Sequence, residues 1–317
     1  MRLKMILAAV WIAAVAWAEG ATFNVGTYNI RQLNGGDDKA GNGWERREPV
    51  MAKLIRFHGF DIFGTQEGFK SQLEQLKADL PGYDYIGIGR DDGKEAGEHS
   101  AIFYRTDMFD LVKHGDFWLS EHPDRPGLGW DAVCVRICTW GRFRHKATGK
   151  EFLFFNLHMD HVGTKARTES AKLIKQKIDE FGPELPVFLT GDFNVDQRSE
   201  SYATITEGGV LTDAFERAAL VYAPNGTFNH YRTDGFTDQR IDHIFTSPSV
   251  EVEKYGVLTD TYRTSLSGAT EIDTSGNAPD EVGIVNAVPR TPSDHFPVLT
   301  TVTVSYTHLT LPTICSV

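Results

Sequence analysis

From residue 22 onward apolar and polar positions alternate, and Phe23, Val25, Thr27 and Asn29 share one face, so the run reads as a strand whose last core-facing position is an asparagine. Residues 46–58 carry Val50, Met51, Leu54 and Ile55 at helical spacing and predict a helix. The next strand, 61–65, puts Phe63, Thr65 and Glu67 on one parity, with Glu67 where the strand ends. A second helix is expected over 71–80, with Ser71 as its cap, Glu74 three residues on and Pro81-Gly82 as its stop. Strands follow at 83–88, 100–104, 108–114 and 133–140, and Pro123, Pro126, Gly127 and Gly129 mark a loop among them. The strongest strands, 150–157 and 186–190, are joined by a helix at 165–181 that stops at Gly182-Pro183. Runs at 241–246 and 296–302 complete the set. Residues 261–291 lack periodicity and predict a long loop that overhangs any site at Ser293-Asp294-His295. Long helices between some strands and short connections between others predict two sheets covered by helices, not one doubly wound parallel sheet.

Both ends stand apart from this pattern. Arg2 and Lys4 precede an uncharged run that closes with Ala16-Trp17-Ala18, so 1–18 reads as a secretory signal peptide and the protein as secreted or periplasmic. The apolar run falls short of the ~20 residues that span a bilayer, so no stable membrane anchor is expected after cleavage. The tail 304–317, with Tyr306-Thr307-His308-Leu309-Thr310-Leu311-Pro312-Thr313, resembles the translation of a transposase-based sequencing adapter and is set aside as non-native. One domain at 19–303 is left, and an apolar content of 41% is enough to give it an ordinary core.

Charge narrows the partners. The net charge of −11 becomes −13 when Arg2 and Lys4 leave with the leader, which disfavours duplex DNA. Cys134 and Cys138 lie on the run 133–140, ~13 Å apart if it is extended, beyond disulfide reach. Both are expected as reduced core cysteines, and Cys315 falls in the excluded tail.

Short polar motifs end the apolar runs: Thr27-Tyr28-Asn29, Thr65-Gln66-Glu67, Asn156-Leu157-His158, Thr190-Gly191-Asp192-Phe193-Asn194, Arg240-Ile241-Asp242-His243 and Pro292-Ser293-Asp294-His295. Acids with Asn and His partners are the parts needed to hold Mg²⁺ and attack a phosphate ester. In order and content these motifs resemble the endonuclease/exonuclease/phosphatase superfamily, over roughly 22–302. The resemblance implies an α+β fold, a four-layered α/β/β/α sandwich of two mixed, mostly antiparallel sheets covered by helices, with the motifs gathered at one edge.

It also implies roles. Asn29 and Glu67 would form the primary shell for Mg²⁺ or Mn²⁺, and Asp294 would complete the metal site or orient its neighbour. Asp192 would orient or deprotonate the attacking water, and Asn194 would fix it. His158 and His295 would hydrogen-bond the phosphoryl oxygens as imidazolium groups, with Asp242 behind His295 or on the outer metal shell. Each has a structural alternative: Asn29 as a turn residue, Glu67 as a helix-end charge, Asp192 and Asn194 as an Asx turn, His158 as a satisfied core histidine. His243, Asp160 and His161 stay open between the two readings, with Asp160 on the parity of His158 and His161 opposite.

Two departures from the family pattern matter. Arg31 stands where apurinic-site endonucleases carry an acid near the metal, and the acidic chain lacks the basic loops of duplex nucleases. Secreted bacterial members of unassigned substrate look closer, through Phe117-Trp118-Leu119-Ser120-Glu121 and Gly129-Trp130-Asp131-Ala132; core packing is the expectation for Trp118 and Trp130. The expected protein is a monomeric, secreted, metal-dependent phosphoesterase on a phosphorylated small-molecule or phosphodiester substrate, small or sugar-like. The alternatives are a secreted nuclease on single strands and a binding module with a retired site.

Overall fold

The computed structural model describes residues 20–305, except 183, 223, 224, 267, 273–275, 277, 278 and 280. The expected leader and all of the set-aside tail beyond residue 305 lie outside the described residues. In chain order the first elements are β1 Ala21–Asn29, α1 Gly35–Lys39, α2 Trp44–His58, β2 Ile62–Gln66, α3 Lys70–Asp79, β3 Tyr83–Ile86, β4 Ile102–Arg105 and β5 Phe109–Trp118. Next come β6 Ile137–His145, β7 Glu151–His158, α4 Thr164–Phe181, β8 Val187–Asp192, α5 Glu200–Thr206, β9 Thr212–Asp213, α6 Ala214–Arg217 and β10 Leu220–Tyr222. The last are β11 Asp242–Thr246, β12 Val250–Val257, β13 Tyr262–Ser265, β14 Ala287–Arg290 and β15 Val298–Val304.

The strands form two large sheets, ordered β10-β12-β15-β1-β2-β4-β3 and β5-β6-β7-β8-β11-β9, beside the small hairpin β13-β14. Pairing is antiparallel except at β1–β2, β7–β8 and β10–β12. Between the sheets Phe23 stacks on Phe152 and meets Phe109 and Phe188 edge-on, with centroids 5.2–5.7 Å apart. Each ring is fully or almost fully buried, so truncating one to alanine should cost about 3–5 kcal/mol. Outside the first sheet Met51, Ile55, Leu73 and Leu76 of α2 and α3 pack with Phe60, Phe63 and Phe103. Outside the second, Ile174 and Ile178 of α4 pack with Phe155 and Leu157. This is the four-layered α/β/β/α sandwich, with mixed, mostly antiparallel sheets.

A buried amide network aligns the sheets below one edge. Gln66 Nε2 donates to Asn156 Oδ1 at 2.7 Å and Thr27 Oγ1 at 3.0 Å, and Asn156 Nδ2 donates to the carbonyls of Thr65 and Ala101. Thr190 Oγ1 also donates to Asn156 Oδ1. Gly64 makes room for this network, because a Cβ there would sit 2.1 Å from Asn156 Oδ1. The C-terminal ends of the parallel pairs β1–β2 and β7–β8 are thereby brought together.

Several local expectations are corrected. The run 133–140 is a strand only from Ile137, because the Asp160 carboxylate holds the N–H groups of Val133 and Cys134 outside the ladder. Cys138 is buried but Cys134 only half-buried; both are free thiols. Ser71 lies inside α3 and not at its cap, since the helix begins at Lys70 and the Gln72 side chain accepts the Phe69 N–H. The span 261–291 contains β13 and β14, whose Arg290 is tied to Ala40 and Asn42. Strand β15 continues to Val304, which is buried and pairs with Ala21 and Val250. No helix among the described residues is long and apolar enough to cross a membrane.

Candidate active site

Alternation delivers some side chains to the joined strand ends, and strained backbone delivers the others. Strand β1 carries Asn29, β7 carries His158 and β8 carries Asp192 as last residues, with His158 and Asp192 in register. Strand β11 starts at Asp242, opposite Asp192. Arg31, Glu67, Asn194 and His230 instead have φ of 58°, 66°, 51° and 52°, a left-handed conformation that non-glycine residues seldom adopt. Glu67 and Asn194 thus reach the site just past β2 and β8, where strand parity has ended. Such strain persists when surrounding structure holds it and is concentrated at functional sites.

Asn29 is fully buried, and its Nδ2 donates to Glu67 Oε1 at 3.0 Å and Asp192 Oδ2 at 2.9 Å, while its Oδ1 accepts the Arg31 N–H. Glu67 Oε2 accepts the Gln32 N–H, and Asp192 Oδ1 accepts the Asn194 N–H. Burial and the neighbouring Asp242 charge push the Asp192 carboxyl above its ordinary value. Burial, with Glu67 adding to it, does the same to Asp294. Arg31 lies 3.6 Å from Asp294 and 3.8 Å from Glu67, anchored by Asp37 at 3.0 Å.

His295 Nδ1 meets Asp242 Oδ2 at 2.8 Å, leaving Nε2 3.7 Å from Asp192. Burial opposes its charge, but Asp242, Asp192 and Asp294 hold the imidazolium well above the ordinary histidine value. His158 has the reverse balance. Burial, then the positive charge of Arg136, pushes it down to about 3, so it is neutral and not the imidazolium expected from sequence. Its Nε2 lies 3.1 Å from Asn194 Nδ2, which fits an acceptor. Glu98 is 3.6 Å from its Nδ1 and pairs with Arg90 at 2.5 Å. Arg136 is 5% exposed, yet its Nε and Nη1 have no hydrogen-bond partner.

All eight residues singled out by sequence lie together. Glu67, His158, Asp192, Asn194, Asp294 and His295 line a cavity of about 550 Å³, with Asn29 and Asp242 bonded behind them. Arg31, Arg90, Glu98, Arg136, Phe228 and His230 also line it and had no assigned role. A charged Arg136 inside the apolar run Val135-Arg136-Ile137 was a usable signal; Phe228 and His230 lie in an irregular segment that gave none. His243 is a core histidine, fully buried among Phe193, Tyr202 and Phe245, with Nε2 3.1 Å from the Val195 carbonyl. Asp160 accepts four backbone N–H groups and is structural. Strand β7 stops at His158, so parity does not govern His161, which is exposed, borders the cavity and touches Arg136. No described residue of the span 261–291 lines this cavity, although Thr261 lines the adjoining one; Phe228, His230 and Ile241 wall it. Trp118 is buried and bonds the Arg90 carbonyl, and Trp130 borders a different depression.

The sequence profile of the Endonuclease/Exonuclease/phosphatase family matches residues 21–295. The chain belongs to this family. It is 55% identical to a family member from Bacteroides thetaiotaomicron whose crystal structure superposes with a TM-score of 0.82, covering 91% of this chain and 100% of that one. It is 56% identical to the mannosyl-6-phosphatase of Bacteroides thetaiotaomicron VPI-5482, with a TM-score of 0.81 over 88% of this chain and 99% of that one. Nocturnin of Drosophila melanogaster is 23% identical over 175 residues, 51% of this chain but only 26% of that protein. The family is hydrolytic, with phosphatase and nuclease members, and its enzymes depend on a divalent metal.

The donor set fits such a cation. Glu67 and Asp192 with His158, and Asp192 and Asp242 with His295, each place their ligand atoms within 4.8 Å of one another. Asp242 Oδ1 is buried without a partner. Buried carboxylate oxygens crowded in this way suit a hard cation.

Proposed function

We propose that this member is a secreted, Mg²⁺- or Mn²⁺-dependent phosphomonoesterase that acts on a phosphorylated sugar. The carrying observation is one cavity lined by crowded carboxylates, Glu67, Asp192 and Asp294, together with Arg31, Arg90 and Arg136, on a chain 56% identical to a mannosyl-6-phosphatase. Glu67 would hold the metal with the neighbouring Asp294, while Asn29 orients Glu67 and Asp192 through its Nδ2; the metal when bound neutralises phosphoryl charge as it develops. Asp192 orients a water and takes its proton, and Asn194 fixes Asp192 and His158 through its backbone N–H and its side chain. The water oxygen bonds to phosphorus as the sugar C–O–P ester loses its P–O bond; the departing sugar oxygen takes a proton from solvent water and leaves as an alcohol, and Asp192 returns its proton to solvent. His295, oriented by Asp242, donates to a phosphoryl oxygen, while Arg136 and Arg90 bind the remaining oxygens of the dianion. The leader pattern at 1–18 supports export.

The test is phosphate release by purified protein with Mg²⁺ from mannose 6-phosphate, an aryl phosphomonoester, an aryl phosphodiester and single-stranded DNA. The sugar phosphate should be the best substrate. Faster turnover of diester or DNA would replace this reading with the diesterase or nuclease one. N-terminal sequencing of exported protein should begin near Glu19, and uncleaved protein retained in the cytoplasm would refute export.

A further inference from the structure

A second cavity of about 860 Å³ opens beside the first. Asn194, Phe228, His230 and Ile241 line both, so a molecule with its phosphate at His295 continues directly into the larger space. Phe228 marks the threshold, its ring packed edge-on against the His295 imidazole at 5.0 Å. Small-molecule sites run from about 300 to 1,000 Å³, so the catalytic cavity alone accommodates a sugar phosphate and the second is surplus to it.

The chemistry of the surplus space narrows its occupant. Phe236 is 79% exposed and Phe228 41%, presenting flat aromatic faces, and Asn225 and Gln239 supply amides. Its arginine, Arg232, is paired with Asp234 at 3.1 Å, and no lysine is among its described lining residues. A polynucleotide needs free cations along its track, which this wall does not offer. A neutral polyhydroxylated chain needs amide partners for its hydroxyls and aromatic faces for its C–H surfaces.

We propose that this groove binds the unphosphorylated sugar units of a phosphorylated oligosaccharide, so that the substrate is a glycan bearing a phosphate and not a free sugar phosphate. The proposal rests on the phosphomonoesterase reading above, and Phe236 and Phe228 are the stacking residues. Binding energy from these remote units then accelerates hydrolysis at the phosphate.

The test compares mannose 6-phosphate with a mannotriose carrying the same phosphate, for the parent and Phe236→Ala. The parent should show kcat/KM about tenfold higher on the trisaccharide, and Phe236→Ala should remove most of that advantage without changing turnover of mannose 6-phosphate. Equal kcat/KM on the two substrates, or equal loss on both in the variant, would overturn the proposal. Calorimetric titration with unphosphorylated mannotriose separates this from failure of the phosphatase reading. Binding to the parent that weakens in Phe236→Ala supports the groove even if no phosphate is released. Absence of binding overturns it even if mannose 6-phosphate is hydrolysed, and displacement of mannotriose by single-stranded DNA assigns the groove to a polynucleotide instead.

Discussion

His295, just ahead of β15, and His158, at the end of β7, face one cavity, and their exposures of 5% and 7% differ little. Burial alone would neutralise both. One is kept charged by Asp242 at 2.8 Å with Asp192 and Asp294 beyond it, whereas the other has Arg136 and Arg90 among its neighbours and is pushed down to about 3. Burial therefore sets the neutral state of His158, with Arg136 adding to it against Asp192 and Glu67, and it is the surrounding carboxylates that overcome burial at His295. A similar contrast runs through the cavity lining, although Arg31 stands among the carboxylates and Glu98 beside Arg90: the crowded acids of one wall suit a cation, and the incompletely bonded Arg136 and Arg90 around His158 suit an anion.

The comparison is broken most severely by emptying the acidic wall. Excess chelator should abolish phosphate release and added Mg²⁺ or Mn²⁺ restore it, with Glu67→Gln titrating metal more weakly; full turnover in chelator would refute a cation there. Next in size, Asp192→Asn and His295→Ala should each lower kcat by about 10² or more with unchanged circular dichroism. On the opposite wall, Arg136→Met removes charge-assisted bonds worth about 1.5–3 kcal/mol each and should raise KM by about tenfold or more, mostly sparing kcat. If kcat falls as far as in His295→Ala, the walls do not divide binding from chemistry. His161→Ala, at an exposed rim position, should stay within about threefold of the parent in kcat/KM.

A buried acid outside the cavity supplies the control. Glu48 in α2 is fully buried with no N–H donor facing either carboxylate oxygen, and burial, then the charge of Asp79 and a carboxyl–carboxylate hydrogen bond with it, pushes it up to about 7. A raised carboxyl contributes stability that is present below its unfolded value and lost as pH rises through about 7. Glu48→Gln should therefore raise Tm by about 2–4 °C at pH 8, roughly 1 kcal/mol, change little at pH 4, and leave kcat intact. An equal gain at both pH values would show that packing, not ionisation, is responsible.

Legibility followed periodicity. Strands such as β1, β7 and β8 and helices α2 and α4 were readable because one face of each meets the core, as Phe23, Phe155 and Ile174 do. Strand β12 was missed although its burial alternates at Val250 and Val252, because charged residues between them and a bulge after Val252 disguise the period. The hairpin β13-β14 leaves no readable pattern in the sequence, because one partner lies more than twenty residues from the other and neither carries a strong apolar face. In the site, Asn29, His158, Asp192 and His295 were named from motifs. Arg90 and Phe228 were not, since irregular segments carry no local rule for direction.

The sequence by itself determined the family and the eight polar residues at or just beyond strand ends, because short motifs are local properties of a chain, and the family resemblance in turn implied the layered architecture. Only tertiary structure decided which histidine is charged, that Asn156 ties the sheets together, and that a second groove runs from Phe228 past Phe236. Each of these depends on groups brought within a few ångströms from far along the chain, such as Asp242 and His295 across 53 residues, and electrostatics and cavity shape are set by that distance in space.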